Sequence, residues 1–219
     1  MPALPCIDIE PRTAANATVI LLHGLGADGN DFVPMVAELQ LPATLPVRFI
    51  FPNAPSIPVT INGGYMMPAW YDITEINIDR KIDATQLIAS AEQVRLLIDR
   101  EIERGIPSHR IVVAGFSQGG AVGYQAALTY MQPLAGLLCM STYFATRQSI
   151  TPNSANRKLP ILICHGTADP MVPERMGRDA MQDLTARGYP AEYKAYPMDH
   201  SVCAQEIADI SRWLQRLLA

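Results

Sequence analysis

Cysteine is scarce in this chain. Cys6, Cys139, Cys164 and Cys203 are the four in 219 residues, and no two of them form a C-x-x-C pair. No Cys/His spacing suits zinc, and Cys139 and Cys164 sit inside apolar runs, where a thiol acts as a small buried hydrophobe. A disulfide framework is thereby excluded, and the pattern fits a reducing, cytoplasmic setting. Long apolar runs are also lacking, so an integral membrane protein is not expected. The N-terminus, Met-Pro-Ala-Leu-Pro-Cys6, has no basic start followed by an apolar stretch and does not read as a secretory signal. Without such a signal, Asn16-Ala17-Thr18 matches the glycosylation pattern by letters only. Charged residues make up 17% of the chain, the net charge is −4, and no Lys/Arg run interleaves with aromatics. A nucleic-acid partner is therefore not expected.

What is present is apolar material, 49% of the residues, enough for a substantial core in one domain spanning 1–219. Short β-type runs alternate with longer helical patterns. Thr18 to Leu22, Val47 to Phe51, Arg110 to Ala114, Gly136 to Met140 and Pro160 to Cys164 are apolar runs of strand length. Ala191 to Tyr196 alternates. Runs apolar on both faces belong to central strands of a parallel sheet covered by helices. Helical spacing marks Asp79 to Arg104, closed by Gly105. Ser117 to Met131, Val172 to Gly188 and Val202 to Leu218 follow, and Asn30 to Gln40 is helix-like. The alternation predicts an α/β fold with a mainly parallel central sheet and helices on both faces. Pro52 to Asp72 breaks the pattern with several prolines, Gly63-Gly64, and Tyr65, Trp70 and Tyr71. A loop of this length in a compact domain is more often functional than idle, and it is a candidate pocket wall.

Gly115-Phe116-Ser117-Gln118-Gly119 matches G-x-S-x-G, directly after a strand and before a helix rich in small residues. In that context the serine sits on a turn too tight for ordinary backbone angles, its hydroxyl lifted out at the carboxyl end of the sheet. This is the nucleophile elbow of the α/β-hydrolase fold.

A serine hydroxyl needs a base, and four histidines are available. His109 precedes the nucleophile strand, at the wrong end of the sheet. His23 and His165 each end a strand in a His-Gly pair, earlier than the usual Ser–acid–His order allows, and read as hydrogen-bonded turn residues. His200 follows the last strand and opens the final helix, where this fold places its base. The acid should follow the preceding strand, and Asp169, in Gly166-Thr-Ala-Asp169-Pro170, occupies that place. Asp199 is the rival, but adjacent residues on a short loop reach the required geometry poorly.

Gly24-Leu-Gly-Ala-Asp-Gly29 matches the dinucleotide fingerprint G-x-G-x-x-G after a strand. That oxidoreductase reading needs an acid at the end of the second strand to hold a ribose, and Pro52-Asn53 stands there instead. In a hydrolase the same loop supplies one backbone N–H to an oxyanion hole, with Leu25 as the candidate donor. The residue after the nucleophile, Gln118, supplies the other.

Five segments carry a family resemblance over about Val19 to Trp213: Leu22 to Gly29, Ile61 to Asp72, Gly115 to Gly120, His165 to Pro173, and Tyr196 to His200. The chain resembles the carboxylesterase, acyl-protein thioesterase and lysophospholipase family of α/β-hydrolases, and the Asn-Gly-Gly and Trp-Tyr-Asp segment is similar to the bacterial carboxylesterase branch. The resemblance implies Ser117, Asp169 and His200 as triad and Leu25 and Gln118 as oxyanion donors. It also implies a pocket lined in part by Leu25, Trp70 and Val172, no metal or cofactor, and a homodimer. Family members usually have Gly where this chain has Asp199. With no room for a large lid domain, small to medium-chain esters are the first expected substrates. Long-chain thioesters of acylated proteins, or lysophospholipids, are the alternative. A non-catalytic binding relative is the further rival, and it would usually lack a triad residue.

Overall fold

The computed structural model describes residues 4–75 and 81–219. Its strands are β1 (Cys6–Ile9), β2 (Ala17–Leu22), β3 (Val47–Pro52), β4 (Ser56–Val59), β5 (Tyr65–Pro68), β6 (Ile73–Glu75), β7 (Lys81–Ile82), β8 (Ile111–Phe116), β9 (Gly136–Met140), β10 (Ile161–Gly166) and β11 (Ala191–Tyr196). Its α-helices are α1 (Met35–Glu38), α2 (Ala84–Glu103), α3 (Gln118–Thr129), α4 (Glu174–Ala186) and α5 (Ala204–Leu218). Seven strands form one sheet in the order β1-β3-β2-β8-β9-β10-β11, with β1 antiparallel to β3 and the other neighbours parallel.

The two-residue period of a strand sorts its side chains into two cores. Ile20, Leu22, Ile111, Val113, Leu137, Cys139, Ile161 and Ile163 face α2, α3 and α4. Val19, Leu21, Val112, Ala114, Leu138, Met140, Leu162 and Cys164 face α1 and α5. This is the α/β-hydrolase architecture, helices on both faces of a mostly parallel sheet and, among the described residues, no large lid domain. The chain passes from β2 to β3 on one side, then crosses back over β2 to β8 on the other and continues outward to β11, so the sheet reverses its winding between β2 and β8. Open α/β sheets bind ligands at such a reversal, outside the carboxyl ends of the strands.

Several expected boundaries shift for local reasons. The helix expected from Asp79 starts at Ala84, because the Asp83 carboxylate caps it by accepting the Gln86 amide at 3.0 Å. Asp79 and Arg80 lie outside the described residues. The helix-like stretch Asn30 to Gln40 is a 3-10 turn (Gly29–Phe32) followed by the single turn α1. Pro34 has no N–H to carry the ladder between them. The Pro52–Asp72 segment is not loop throughout, since β4 and β5 pair across it as an antiparallel hairpin. At the amino end of the sheet, buried Glu101 of α2 accepts from Thr18 Oγ1 at 3.0 Å, Arg48 at 2.7 Å and Arg104 at 2.9 Å, tying helix to sheet.

One buried carboxyl predicts a pH effect. Glu206 of α5 is fully buried, and burial pushes its carboxyl up to about 8, only partly opposed by the Cys203 amide and the Cys164 thiol. An unfolded Glu titrates near ~4.3, so below that pH both states hold the proton. Between there and 8 the unfolded chain ionises while the folded one does not. Stability therefore falls as pH rises through this window, by at most about 1.4 kcal/mol per pH unit. Glu206→Gln is expected to flatten that decline. Urea midpoints at pH 5 and pH 8 check it, and the variant should gain on the parent more at pH 8.

Candidate active site

The elbow is built by close approach. Ser117 stands between β8 and α3 with φ 52° and ψ −119°, a positive-φ conformation that L residues rarely adopt. A Cβ on Gly115 would lie 2.4 Å from the Gly119 backbone, and one on Gly119 would lie 2.5 Å from the Leu22 carbonyl oxygen. Only hydrogen fits at either place. The turn is held by the Ser117 amide donating to the Met140 carbonyl at 2.9 Å and by Thr142 Oγ1 donating to the Ser117 carbonyl.

Three side chains from three separate connections meet at this edge. His200 Nε2 lies 2.9 Å from Ser117 Oγ, and His200 Nδ1 lies 2.7 Å from Asp169 Oδ2. A carboxylate only accepts, so Nδ1 carries the proton and Nε2 is free to accept from the serine hydroxyl. The other Asp169 oxygen accepts the Met171 and Val172 amides at 2.9 and 2.8 Å. Burial by itself would raise the Asp169 carboxyl. The bond and charge of His200 and the two amides outweigh it and hold the group below the ordinary carboxylate range. Phe116 packs its ring against His200, centroids 4.7 Å apart.

His23 and His165 have structural partners. His23 is buried, with Nδ1 2.7 Å from the Gly24 carbonyl and Nε2 accepting the Ala54 amide at 3.0 Å. Burial pushes its pKa down, consistent with a neutral ring in that tautomer. His165 Nε2 lies 2.8 Å from the Val172 carbonyl and 3.7 Å from Asp169 Oδ2, so it braces the loop that carries the acid. His109 belongs to the 3-10 turn ahead of β8, at the opposite end of the sheet. Asp199 is exposed, and Asp169 takes the place at His200 Nδ1.

The glycine-rich loop 24–29 does not form a dinucleotide cradle. No long helix follows it, and Asn53, at the end of β3, accepts the Gly29 amide at 2.8 Å. Leu25 and Gln118 both line the cavity that contains Ser117 and His200. Among the described residues, neither backbone amide donates to a protein acceptor. The cavity is a cleft of about 650 Å³, with Leu25, Ile61, Met67, Ile73, Met171 and Val172 as its apolar wall.

Leu25 and Val172 line the cleft, whereas Trp70, expected in the pocket wall, does not. Its side chain is buried behind the wall, where its ring N–H donates to the His23 carbonyl at 2.9 Å. A buried indole N–H needs an acceptor, and the one available lies inside, under the loop. Ile61, Met67 and Phe116 were not singled out from the sequence. The first x of G-x-S-x-G was a usable signal for Phe116. Ile61 and Met67 belong to the Pro52–Asp72 segment expected as a pocket wall, but Pro58, Gly63 and Gly64 mask its strand character, so the sequence does not tell which of its residues face the cleft.

The fold and this constellation define a serine hydrolase of the α/β-hydrolase class. The chain belongs to the phospholipase/carboxylesterase family, whose sequence profile matches residues 6–218. It is 38% identical over 213 residues to acyl-protein thioesterase 1 of Neurospora crassa, covering 92% of this chain and 87% of that protein. It is 35% identical over 238 residues to acyl-protein thioesterase 1 of Cryptococcus neoformans var. neoformans serotype D, covering 99% and 98%. Among solved structures it resembles Arabidopsis thaliana SOBER1, with TM-score 0.87 and 31% identity over 94% of this chain and 100% of that one.

Proposed function

We propose that the protein hydrolyses acyl thioesters and esters through an acyl-enzyme on Ser117, and that its acyl group is a long chain held in the cleft. The observation that carries this reading is the unbroken line from Asp169 through His200 to Ser117, opening into an apolar cleft of about 650 Å³. Ser117 Oγ attacks the acyl carbonyl while His200 Nε2 takes its proton. The oxyanion that forms rests on the Leu25 and Gln118 amides. His200 then protonates the departing thiolate or alkoxide, and the acyl chain stays in the cleft. A water that gives its proton to His200 attacks the acyl-serine, and collapse of the second tetrahedral adduct returns the proton to Ser117 and frees the acid.

Two observations favour long chains over the small esters expected first. The relatives at 35–38% identity bear the thioesterase name, and the apolar wall offers burial worth about 0.8 kcal/mol for each methylene. Nitrophenyl esters from C2 to C16, with an S-palmitoylated peptide beside them, test the choice. Rising kcat/KM toward long chains and turnover of the peptide are expected, whereas a maximum at C2 to C6 with an inert peptide restores the small-ester reading.

The protein is further proposed to be a single domain, acting in the cytoplasm. The four unpaired cysteines support the compartment. Among the described residues, no helix is long and apolar enough to cross a membrane. The family resemblance suggests a homodimer, which sedimentation velocity resolves.

A further inference from the structure

We propose that Trp70 is a positioning residue for the oxyanion hole, tying together the two segments that carry its amides. The inference rests on Leu25 and Gln118 being the donors, as proposed above. Those amides are 93 residues apart in sequence and belong to different connections, one after β2 and one after β8. A tetrahedral oxyanion is served only if both N–H groups point at one place, within a fraction of an ångström.

Trp70 bonds to both sides. Its ring N–H donates to the His23 carbonyl at 2.9 Å, and its backbone N–H donates to Gln118 Oε1 at 2.8 Å. The same Gln118 side chain donates through Nε2 to the Tyr71 carbonyl at 2.7 Å, so it grips two successive residues of the segment. Two residues upstream, the Pro68 carbonyl accepts the Gly26 amide at 2.8 Å. The strip 68–71 therefore holds the loop on both sides of Leu25 and holds the first residue of α3.

His23 transmits the grip. Its Nδ1–H donates to the Gly24 carbonyl at 2.7 Å, and its ring lies against the Trp70 indole with centroids 5.1 Å apart. The Gly24 C=O and the Leu25 N–H belong to one planar trans peptide and point in opposite directions. Fixing the carbonyl on His23 therefore aims the amide the other way. A tryptophan is required because its ring fills the space beneath the loop and also supplies an N–H at its edge. Phenylalanine fills most of that space and donates nothing.

The test compares Trp70→Phe with the parent, each normalised to the sites titrated by a fluorophosphonate. Position 70 is also replaced by 3-benzothienylalanine, which keeps the bicyclic shape and puts sulfur where the N–H was, in case the phenylalanine variant does not fold. With nitrophenyl octanoate as substrate, kcat per titrated site should fall about tenfold. KM should stay within twofold. The Ki of an alkyl trifluoromethyl ketone, which forms a tetrahedral adduct on Ser117, should rise by the factor lost in kcat. A residue that only supports folding would lower the titrated fraction and leave kcat per site alone. The proposal is overturned if kcat per site and ketone affinity both stay within twofold of the parent in the variant that folds. A raised KM at constant kcat overturns it equally, by making Trp70 a substrate contact. If the parent itself takes neither fluorophosphonate nor ketone, the serine-hydrolase chemistry at Ser117 fails first and the proposal falls with it.

Discussion

Ser117→Ala is expected to lower kcat by about 10⁶-fold while leaving the fold intact. In the proposed mechanism the Ser117 hydroxyl is the atom that forms the acyl bond, and alanine has no atom to take its place. His200 Nε2 would face a methyl group with no proton to take. The residual rate would come from binding and from the two amides, which polarise a carbonyl for attack by water. The Oγ atom has one side-chain bond, to His200, and the strained backbone of the elbow is the same for alanine as for serine. The melting temperature should therefore move by no more than about 2 °C. Single-turnover hydrolysis of a nitrophenyl ester measures the rate, and loss of fluorophosphonate labelling at residue 117 checks the assignment. A variant that keeps a tenth of the parent's rate would remove the covalent mechanism.

Asp169→Asn should cost about 10⁴-fold in kcat, with KM little changed. The amide oxygen of asparagine can still accept from Met171 and Val172, so the loop keeps its shape. The amide nitrogen would then face His200 Nδ1 and donate to it. That forces the imidazole proton onto Nε2, which can no longer accept from Ser117. The damage is a wrong tautomer rather than a lost contact. Rapid-quench measurement of acylation locates it, since the acylation step itself should slow. An unaltered acylation rate would mean that His200 is oriented by something other than this carboxylate.

The geometry behind both predictions was legible in part. Strands such as β2, β8 and β10 are buried on both faces, so their apolar runs stand out without any knowledge of their neighbours. The elbow was legible for a different reason. Gly115 and Gly119 are demanded by contacts of 2.4–2.5 Å, and such demands leave a fixed spacing in the letters. Asp169 and His200 followed from their places after the strands. β1 and the β4–β5 hairpin were not legible, because half-exposed edge and hairpin strands carry mixed side chains and prolines. The helix-like stretch 30–40 misled, because its apolar spacing is compatible with a helix while Pro34 forbids the ladder.

Trp70 shows where such reading ends. An aromatic in a proline- and glycine-rich loop near an active edge can be a pocket wall or a prop beneath one. The difference lies in where its N–H finds an acceptor, and that acceptor, the His23 carbonyl, is 47 residues away in sequence.

By itself the order of residues determined the alternating layers, the strained serine turn and which histidine and aspartate to look for beside it. Each is written in local periodicity or in a spacing that sterics enforce. Only the folded chain decided the tautomer of His200, the shape of the cleft and the side of its wall on which Trp70 stands. Those depend on distances between groups remote in sequence, set by packing on the two faces of the sheet, and no local pattern encodes them.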